Sequence, residues 1–376
     1  MKDRIAEIIQ AYDAQGIHRT GTDVDLASAQ WLAGIIKEIG FKPQLPEFNL
    51  NRVDIRQAEI VVGHKKLEGA PLFDCAENTS SEGIRGKLGD IDNQKADIGV
   101  TVVPPWPGHE ITQKFNEVRQ AGKFKAMVSV TVGPSKGLFL LNANDFLKPF
   151  GPPVLQVSSR EGAWLKDATA AGAEATVVAD TKRIMSTAVN VKARIKGLDS
   201  GLPPLVVITP RSGWWECASE RGGGIAAWLE MMRAFKENSP DRDVIFTANT
   251  GHELHHLGMD YFLESNPDLL DRAYAWIHLG ANFAASENSV HVVCADDELK
   301  ECFIAVVSDV ELNTHVGKPF GEAIPIHEHG GRFISVGGTN PWFHAPEDRW
   351  PEAVNLNQTM GIVEGLIKLS KQLASR

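Results

Sequence analysis

Short apolar runs alternate with helical patterns from residue 205 onward, and this alternation limits the possible folds more than any other feature of the chain. The runs PLVVIT (204–209), DVIFTANT (243–250) and AYAWIHLG (273–280) have the length and the β-branched or aromatic content of buried strands. Between the first two, GGGIAAWLEMMRAFKEN (222–238) repeats its apolar residues at the spacing of one helical face. This pattern predicts an α/β fold, in which a central twisted, mixed β-sheet is flanked by helices.

The region before this alternation divides into a helical start and a long, strand-rich insertion. Residues 23–40 have apolar residues at helical spacing, and the pattern ends at a glycine. The middle of the chain is rich in glycine, proline and strand-like runs, with a strand, helix, strand pattern over 151–180. We therefore predict a discontinuous α/β domain (1–51 and 193–376) that is interrupted by a mostly-β domain (52–192).

Charge and cysteine content exclude several classes of function. The net charge is −10 and no run of Lys or Arg stands out, so neither nucleic acid nor an anionic membrane is an expected partner. No stretch reaches the roughly 18 continuous apolar residues of a membrane span. The polar first residues do not resemble a signal peptide, and the four cysteines lack CxxC spacing, which favours reduced thiols. We expect a cytoplasmic protein.

The segment TGHELHHLG (250–258) contains an HExxH string, which in zincins places two metal-binding histidines on one face of a helix. Here the string follows a predicted strand directly, so it lies where an α/β sheet places its active site. Met259 and Phe262 stand where the metzincin continuation requires glycine and histidine. We therefore interpret the string as part of a different site, and we expect His255 and His256 to be packing or outer groups.

Several separated segments point to one family. They include TPR (209–211), CASERGGGIAAWLE (217–230) and NPWFHAPEDRW (340–350), together with the helical start at 17–41. With them, the chain resembles the clan MH metallopeptidases, which comprise bacterial zinc aminopeptidases, glutamate carboxypeptidases and glutaminyl cyclases. The segment 152–180 resembles part of the protease-associated domain that is inserted in these proteins. The resemblance implies a zinc-aminopeptidase-like fold over nearly the whole chain.

The resemblance also implies a metal site, which this chain has altered. Active members bind two zinc ions, but Thr209 stands in place of a ligand of the second metal, and Gly280 stands where its aspartate belongs. The three positions that hold the first metal keep a ligand type, namely Glu220, Glu253 and His344. Two carboxylates and one imidazole leave a fourth position open for water. We therefore expect a mononuclear site with one divalent metal ion, zinc or manganese.

Two further substitutions concern the chemistry of the site. His252 occupies the place of the family's general base, and a neutral imidazole can accept a proton from water. The alternatives for His252 are a metal ligand, a hydrogen-bond donor to the leaving group, or a residue of an inactive enzyme. Arg211 occupies the place of a conserved aspartate, where it would bind a substrate carboxylate or a developing oxyanion. A structural salt bridge is the alternative for Arg211. The residues expected to line the substrate pocket, with core packing or a surface loop as the alternative, are Trp214, Trp215, His278, His327 and His329.

The leading functional prediction is a metal-dependent hydrolase that cleaves a C–N bond of a small substrate through a metal-bound water. The bond would belong to an amide, a peptide or an activated aromatic amine, and the substrate would be carboxylated or aromatic. Three alternatives stay open: a conventional aminopeptidase or dipeptidase, an acyl-transfer enzyme similar to glutaminyl cyclase, and an inactive ligand-binding homologue. We also expect a homo-oligomer.

Overall fold

The computed structural model describes residues 1–93, 95–106, 108–287, 289–307 and 310–375. The chain forms two compact units, which we call the main unit and the inserted unit. The main unit comprises Met1–Leu50, Thr187–His252 and His256–Arg376, and the inserted unit comprises Asn51–Ser186 and Glu253–His255. The domain boundaries at 51/52 and 192/193 stay predictions. The identity of the inserted unit as a protease-associated domain stays a prediction.

The helices are α1 (Lys2–Asp13), α2 (Asp23–Ile39), α3 (Glu110–Ala121), α4 (Gly162–Ala170), α5 (Gly222–Ala234), α6 (Leu257–Glu264), α7 (Leu269–Arg272), α8 (Asp297–Val306), α9 (Ile324–Glu328) and α10 (Leu356–Ala374). Single turns of 3₁₀ helix lie at Ser159–Glu161, His252–Leu254 and Gly321–Ala323. Of the helices in the described ranges, none combines the length and the apolar content that crossing a bilayer requires.

The strands are β1 (Pro43–Gln44), β2 (Glu47–Val62), β3 (Lys65–Glu68), β4 (Ala70–Pro71), β5 (Ile84–Asp90), β6 (Ile98–Val103), β7 (Ala126–Thr131), β8 (Val154–Ser158), β9 (Glu174–Val189), β10 (Val191–Ile195), β11 (Leu205–Pro210), β12 (Val244–Asn249), β13 (Ala275–Leu279), β14 (Val290–Cys294), β15 (Leu312–Val316) and β16 (Phe333–Gly338). The predicted strand, helix, strand pattern over 151–180 is confirmed as β8, α4 and the first part of β9.

The main unit is built on one mixed sheet with the strand order β1-β10-β12-β11-β13-β16-β14-β15. Its centre, β12-β11-β13-β16, is parallel throughout, whereas β10 and β14 join it in antiparallel orientation. The predicted α/β fold with a mixed central sheet is therefore confirmed. Because β11, β12 and β13 run in the same direction, the loops that follow them emerge at the same edge of the sheet.

Helices cover both faces of this sheet, as the alternating side chains of β11 demonstrate. Leu205 and Val207 belong to the core formed with α1, α2, α5, α8 and α10. Val206 and Ile208 belong to a second core formed with α6, α7 and α9. Successive side chains of a strand point to opposite faces, so the two cores lie on opposite sides of the sheet. The continuous apolar run of β11 follows from this double burial.

The inserted unit has its own sheet, with the strand order β3-β2-β9-β5-β6-β7-β8-β4. Strands β5 to β8 are parallel neighbours, and β9 pairs with β5 in antiparallel orientation. A separate apolar core lies on this sheet and includes Val128, Leu155 and Leu165. The unit therefore contains helices α3 and α4 as well as the predicted strands.

The predicted first residue of helix α6 is wrong. The sequence indicates a helix over 252–265, but α6 begins only at Leu257. Residues 252–254 form a 3₁₀ turn, and His255 and His256 follow with φ angles of 64° and 62°. This left-handed backbone interrupts the helix between the two histidines of the HExxH string. The string is therefore not a single helical turn as in a zincin.

Candidate active site

The candidate site lies in the main unit, where chain segments leave the carboxyl ends of the parallel strands. The segment after β11 leads to Glu220 and Arg221 at the start of α5, and the segment after β12 leads to His252. His344 follows β16, the neighbour of β13. Ligand sites of open α/β sheets occur at this edge, because the strands end there together and their loops approach each other.

Glu220, Arg221 and His344 form one buried cluster, each about 1% exposed. Arg221 Nη2 lies 2.7 Å from Glu220 Oε1, and His344 Nε2 lies 3.6 Å from the same oxygen. The backbone N–H of His344 donates to Glu220 Oε2 at 3.3 Å. His344 has a φ of 62°, a left-handed conformation that is uncommon for a residue with a side chain. The cluster is an ion pair with an imidazole beside it.

Arg221 is fixed in place by the backbone around it. Its Nε donates to the carbonyl oxygen of Ser212 at 2.8 Å, and the side chain is fully buried. Burial acts to lower the pKa of Arg221, but the negative charge of Glu220, with smaller contributions from Cys217 and Tyr12, outweighs burial and raises it. Nη1 has no hydrogen-bond partner among the described residues. The site therefore contains a permanent positive charge with a donor available to a ligand.

Asp348 supports the backbone of this cluster. Its carboxylate accepts from the N–H and the hydroxyl of Ser219 at 2.9 and 2.6 Å, and from the N–H of Glu220 at 2.9 Å. Burial raises the pKa of Asp348 to about 7, with the nearby charge of Glu220 adding to the shift. These three hydrogen bonds hold the turn that precedes α5, so they orient Glu220 and Arg221.

His252 and Glu322 form a second buried pair in the same unit. His252 Nδ1 lies 3.6 Å from Glu322 Oε1, and Asn249 donates to Glu322 Oε2 at 3.3 Å. Burial raises the pKa of Glu322 to about 8, although the hydrogen bond from Asn249 and the charge of Arg221 oppose the shift. Burial also lowers the pKa of His252 well below its usual value, and the charge of Arg221 adds to the effect. His252 is therefore neutral at physiological pH.

His278 lies next to this pair, with Gly321 against both imidazoles. A Cβ at Gly321 would lie 3.5 Å from His278 Cε1 and 3.8 Å from His252 Cε1. His278 Nδ1 is 2.7 Å from the hydroxyl of Ser335, and burial lowers the pKa of His278 to about 3. Its Nε2 has no hydrogen-bond partner in the described part of the chain. His278 is thus a neutral, buried group of the site, and its place in a pocket wall stays a prediction.

The structure gives Arg211 a different environment. Its Nη1 lies 2.9 Å from Asp25 Oδ1 and donates to the carbonyl oxygen of Asp25 at 2.8 Å, while Nη2 donates to the carbonyl oxygen of Val189 at 2.7 Å. Both Arg211 and Asp25 are at most 1% exposed. These contacts favour the structural salt bridge, the alternative to a catalytic role. The catalytic role of Arg211 stays a prediction.

The three predicted metal ligands, Glu220, Glu253 and His344, belong to different units, and their role as ligands stays a prediction. Glu253 groups with the inserted unit, where its carbonyl oxygen accepts from the N–H of Ala143 at 2.9 Å. Within the described ranges, which include Glu220, Glu253 and His344, no group of three His, Cys, Asp or Glu side chains is placed to hold a metal ion. Arg221 occupies one side of Glu220 instead.

The remaining predicted pocket residues have mixed environments. Trp214 is a core residue with 2% exposure, whereas Trp215 is half-buried and donates from Nε1 to the carbonyl oxygen of His344 at 2.9 Å. His327 packs edge-on against Phe333, with ring centroids 5.8 Å apart. His329 is exposed, and its Nδ1 lies 2.9 Å from the carbonyl oxygen of Pro325. Trp215 thus contacts a residue of the cluster, and the pocket roles of all four residues stay predictions.

The sequence reasoning missed three residues of the site, namely Arg221, Glu322 and Asp348. Arg221 is adjacent to Glu220 in the printed sequence, so a charged pair before a glycine-rich helix start was a visible signal. Asp348 lies four residues after His344 in the quoted segment NPWFHAPEDRW. Glu322 has no such signal, because only tertiary folding brings its loop to His252.

The segment that contains this site was compared with known protein families. Residues 213–360 match the family model described as Peptidase family M28. This segment contains Glu220, Arg221, His252, Glu322 and His344. No curated protein sequence matches the chain. The predicted resemblance to a metallopeptidase family is therefore confirmed for the segment 213–360, which matches a peptidase family model.

Solved structures have the same fold over the whole chain. BSAP, a zinc aminopeptidase from Bacillus subtilis, has a TM-score of 0.81 at 17% identity, with 100% of this chain and 96% of that chain covered. An aminopeptidase from Aneurinibacillus sp. strain AM-1 has a TM-score of 0.74 at 16% identity, covering 100% and 94%. A peptidase M28 precursor from Shewanella amazonensis has a TM-score of 0.75 at 13% identity, covering 100% and 96%. At these identities the likeness concerns the fold.

The side chains of this chain do not fit the metal that such neighbours contain. BSAP is described as a zinc aminopeptidase. In this chain, a guanidinium lies 2.7 Å from the one carboxylate of the cluster, and a third ligand is missing among the described residues. A zinc site needs at least three protein ligands and no cation in contact with them. The donor set therefore differs from a zinc site.

Proposed function

We propose that the chain hydrolyses a C–N bond in a small substrate, with the site around Glu220, Arg221, His252, Glu322 and His344 as the active centre. The observation that supports it best is the buried His252–Glu322 pair in the segment that matches a peptidase family. An imidazole beside a carboxyl group is an arrangement used for general-base catalysis. The substrate would be an amide, a small peptide or an activated aromatic amine.

In this proposal, His252 accepts a proton from the attacking water. Glu322 Oε1 lies 3.6 Å from Nδ1, beyond hydrogen-bonding distance in this structure. Once the two side chains come into hydrogen-bonding contact, the ionised carboxylate would hold the Nδ1–H tautomer and leave Nε2 as the base. The water oxygen forms a bond to the carbonyl carbon, and its proton passes to Nε2. When the C–N bond breaks, the same proton passes from His252 to the leaving amine, so atoms and charges balance.

Arg221 supplies the positive charge for the oxyanion that develops on the substrate. Its Nη1 lacks a hydrogen-bond partner among the described residues, and its position is fixed by Ser212 before any substrate binds. A preorganised donor in a buried site stabilises a developing negative charge without reorganisation at the moment of reaction. Zinc is described for BSAP in the same fold, but no step here uses a metal.

The ionisation of Glu322 gives this mechanism a pH dependence. The pKa of Glu322 is about 8, so the carboxylate form that keeps Nε2 of His252 free increases as pH rises through that value. We expect kcat/KM to rise with an apparent pKa of about 8. Glu322→Gln should lower kcat and remove the rise, because an amide does not titrate. A flat profile for the unmodified protein would contradict the role of Glu322.

The test of the function is a screen of dipeptides, amino-acid amides and amino-aromatics for amine or ammonia release. His252→Ala should lower kcat/KM by about 10²-fold or more, as expected for removal of a general base. His315→Ala is the matched control and should retain full turnover, because His315 is an exposed histidine of the main unit, in strand β15. Equal turnover in His252→Ala and unmodified protein would refute the proposal.

A ligand-binding homologue without activity is the second candidate. The ion pair between Arg221 and Glu220 favours it, since two buried charges that neutralise each other form a stable arrangement without a reaction. The test is calorimetry with the dipeptides, amino-acid amides and amino-aromatics of the screen. Binding of one of them, without product in the same sample after prolonged incubation, would support this candidate. The number of chains in the assembly stays a prediction and is independent of either candidate.

A further inference from the structure

The strongest unexplained feature of the site is the contact between a buried glutamate and the arginine that follows it. Glu220 stands where the related peptidases place the aspartate that binds metal, and its Oε1 is 2.7 Å from Arg221 Nη2. Both side chains are at most 1% exposed. A buried carboxylate needs a cation or several hydrogen bonds, so the guanidinium already provides what a metal ion would provide.

The guanidinium cannot easily move away from this position. Its Nε donates to the carbonyl oxygen of Ser212, and the neighbouring Gly213 lies against it, since a Cβ there would lie 3.9 Å from Arg221 Nε. A metal ion on Glu220 would therefore lie close to a fixed positive charge. Two cations at such a separation in a buried site repel each other strongly.

The position of a second metal ligand is also closed. A Cβ at Gly280 would lie 2.8 Å from Phe320 Cε2 and 2.9 Å from the carbonyl oxygen of Val336, so an acidic side chain has no space there. Thr209 donates its hydroxyl to the carbonyl oxygen of Leu279 at 3.1 Å. Both positions are thus filled by packing or used in an internal hydrogen bond.

We propose that Arg221 is the resident cation of this site: its guanidinium neutralises Glu220 where the zinc forms of the fold hold a metal ion, and the folded chain retains neither zinc nor manganese. Arg211 is another buried arginine whose charge is neutralised by a buried carboxylate, that of Asp25. The proposal concerns metal content and does not depend on whether the chain is active.

Metal analysis of the intact protein tests the proposal. The full chain is expressed in medium supplemented with zinc and manganese, purified without chelator, and analysed by plasma mass spectrometry. We expect less than about 0.1 equivalent of either metal per chain, and a melting temperature that EDTA does not change. About one equivalent that resists dialysis, or a fall in melting temperature with EDTA, would overturn the proposal.

Substitution of Arg221 tests its specific role. Arg221→Asn leaves Glu220 and His344 facing each other at 3.6 Å without the guanidinium, so its melting temperature should rise as zinc is added. Arg4→Asn is the matched control, because Arg4 also lies 2.7 Å from a buried glutamate, Glu230, and should gain no response to zinc. A folded Arg221→Asn protein that ignores zinc would overturn the role given to Arg221.

Arg221→Lys covers the case in which the asparagine variant does not fold. Lysine keeps a positive charge beside Glu220, so this variant should remain free of metal and insensitive to EDTA. Zinc bound by Arg221→Lys would overturn the proposal. Turnover is not a readout in any of these experiments, so a failed hydrolase assay and a failed metal assay are distinguishable.

Discussion

Arg211 and Asp25 form a buried ion pair that links the segment after β11 to the first turn of α2. Asp25 also accepts from the hydroxyl of Thr250 at 3.0 Å and from the N–H of Gly21 at 2.9 Å. Several segments of the main unit therefore meet at one carboxylate. Breaking one partner of such a pair leaves an uncompensated buried charge.

We expect Arg211→Met to lower the free energy of unfolding by about 3–5 kcal/mol, because Asp25 is left buried without its cation. The double substitution Arg211→Met with Asp25→Leu should recover part of this loss. Urea denaturation of the three variants measures both effects. If the loss of stability is small and kcat falls instead, Arg211 has the catalytic role that the sequence alone suggested.

His18 provides a pH-dependent contribution to stability. It is fully buried, and its ring stacks on Tyr12 with the centroids 3.8 Å apart. Burial lowers the pKa of His18 to about 3, and the charge of Arg211 adds to the shift. Because the folded state binds the proton more weakly than the unfolded state, this contribution is complete above about pH 6.5 and decreases as pH falls towards 3.

His18→Phe should therefore flatten the acid side of the stability profile. The phenyl ring keeps the stacking on Tyr12 but does not titrate, so the decrease in unfolding free energy between pH 6.5 and 3 should be smaller than in the unmodified protein. Guanidinium denaturation at a series of pH values measures this. Parallel profiles for the two proteins would contradict the assigned cause.

At the level of elements, the beginning of α6 depends on one close backbone contact. A Cβ at Gly258 would lie 2.2 Å from the carbonyl oxygen of Thr250 and 2.5 Å from Asn190 Oδ1. Gly34, in the middle of α2, has no atom within 4 Å of the same position. Close packing therefore requires a glycine at position 258, whereas position 34 has room for a larger side chain.

Gly34→Ala should raise the free energy of unfolding by about 0.5–1 kcal/mol, because alanine favours a helix interior. Gly258→Ala should lower it by about 1–3 kcal/mol or more, since the backbone around Thr250 must move. Thermal or chemical denaturation of the pair measures both signs. If Gly258→Ala stabilised the protein, the close contact between Gly258 and the carbonyl oxygen of Thr250 would be refuted.

The sequence predicted the elements better than their exact limits. The strands β11, β12 and β13 and the helix α5 follow from apolar patterns that double burial imposes, so they were predictable. The interruption at His255 and His256 was not, because neither residue is a glycine and a left-handed backbone is uncommon for residues with a side chain. Likewise, the position of Glu220 was predictable from a motif, whereas its pairing with Arg221 and the approach of Glu322 to His252 required the folded chain.

At the level of the whole molecule, the inserted unit has the properties of an independent domain. Its continuous part, 51–186, contains all or most of each strand of its sheet and its own apolar core. We expect a fragment spanning these residues to unfold cooperatively by itself, with the circular dichroism of a mixed α/β protein. A fragment with no cooperative transition and unfolded amide chemical shifts would contradict this expectation.

The closed position at Gly280 limits the evolutionary routes that are open to this chain. Introducing aspartate there alone would force Phe320 and the backbone of β16 apart, and Thr209 would still lack an imidazole. A lineage that reverted towards a two-zinc enzyme would have to pass through less stable intermediates before any selective advantage appeared. If Arg221 holds the place of the metal ion, as we propose, no single mutation would restore the metal site.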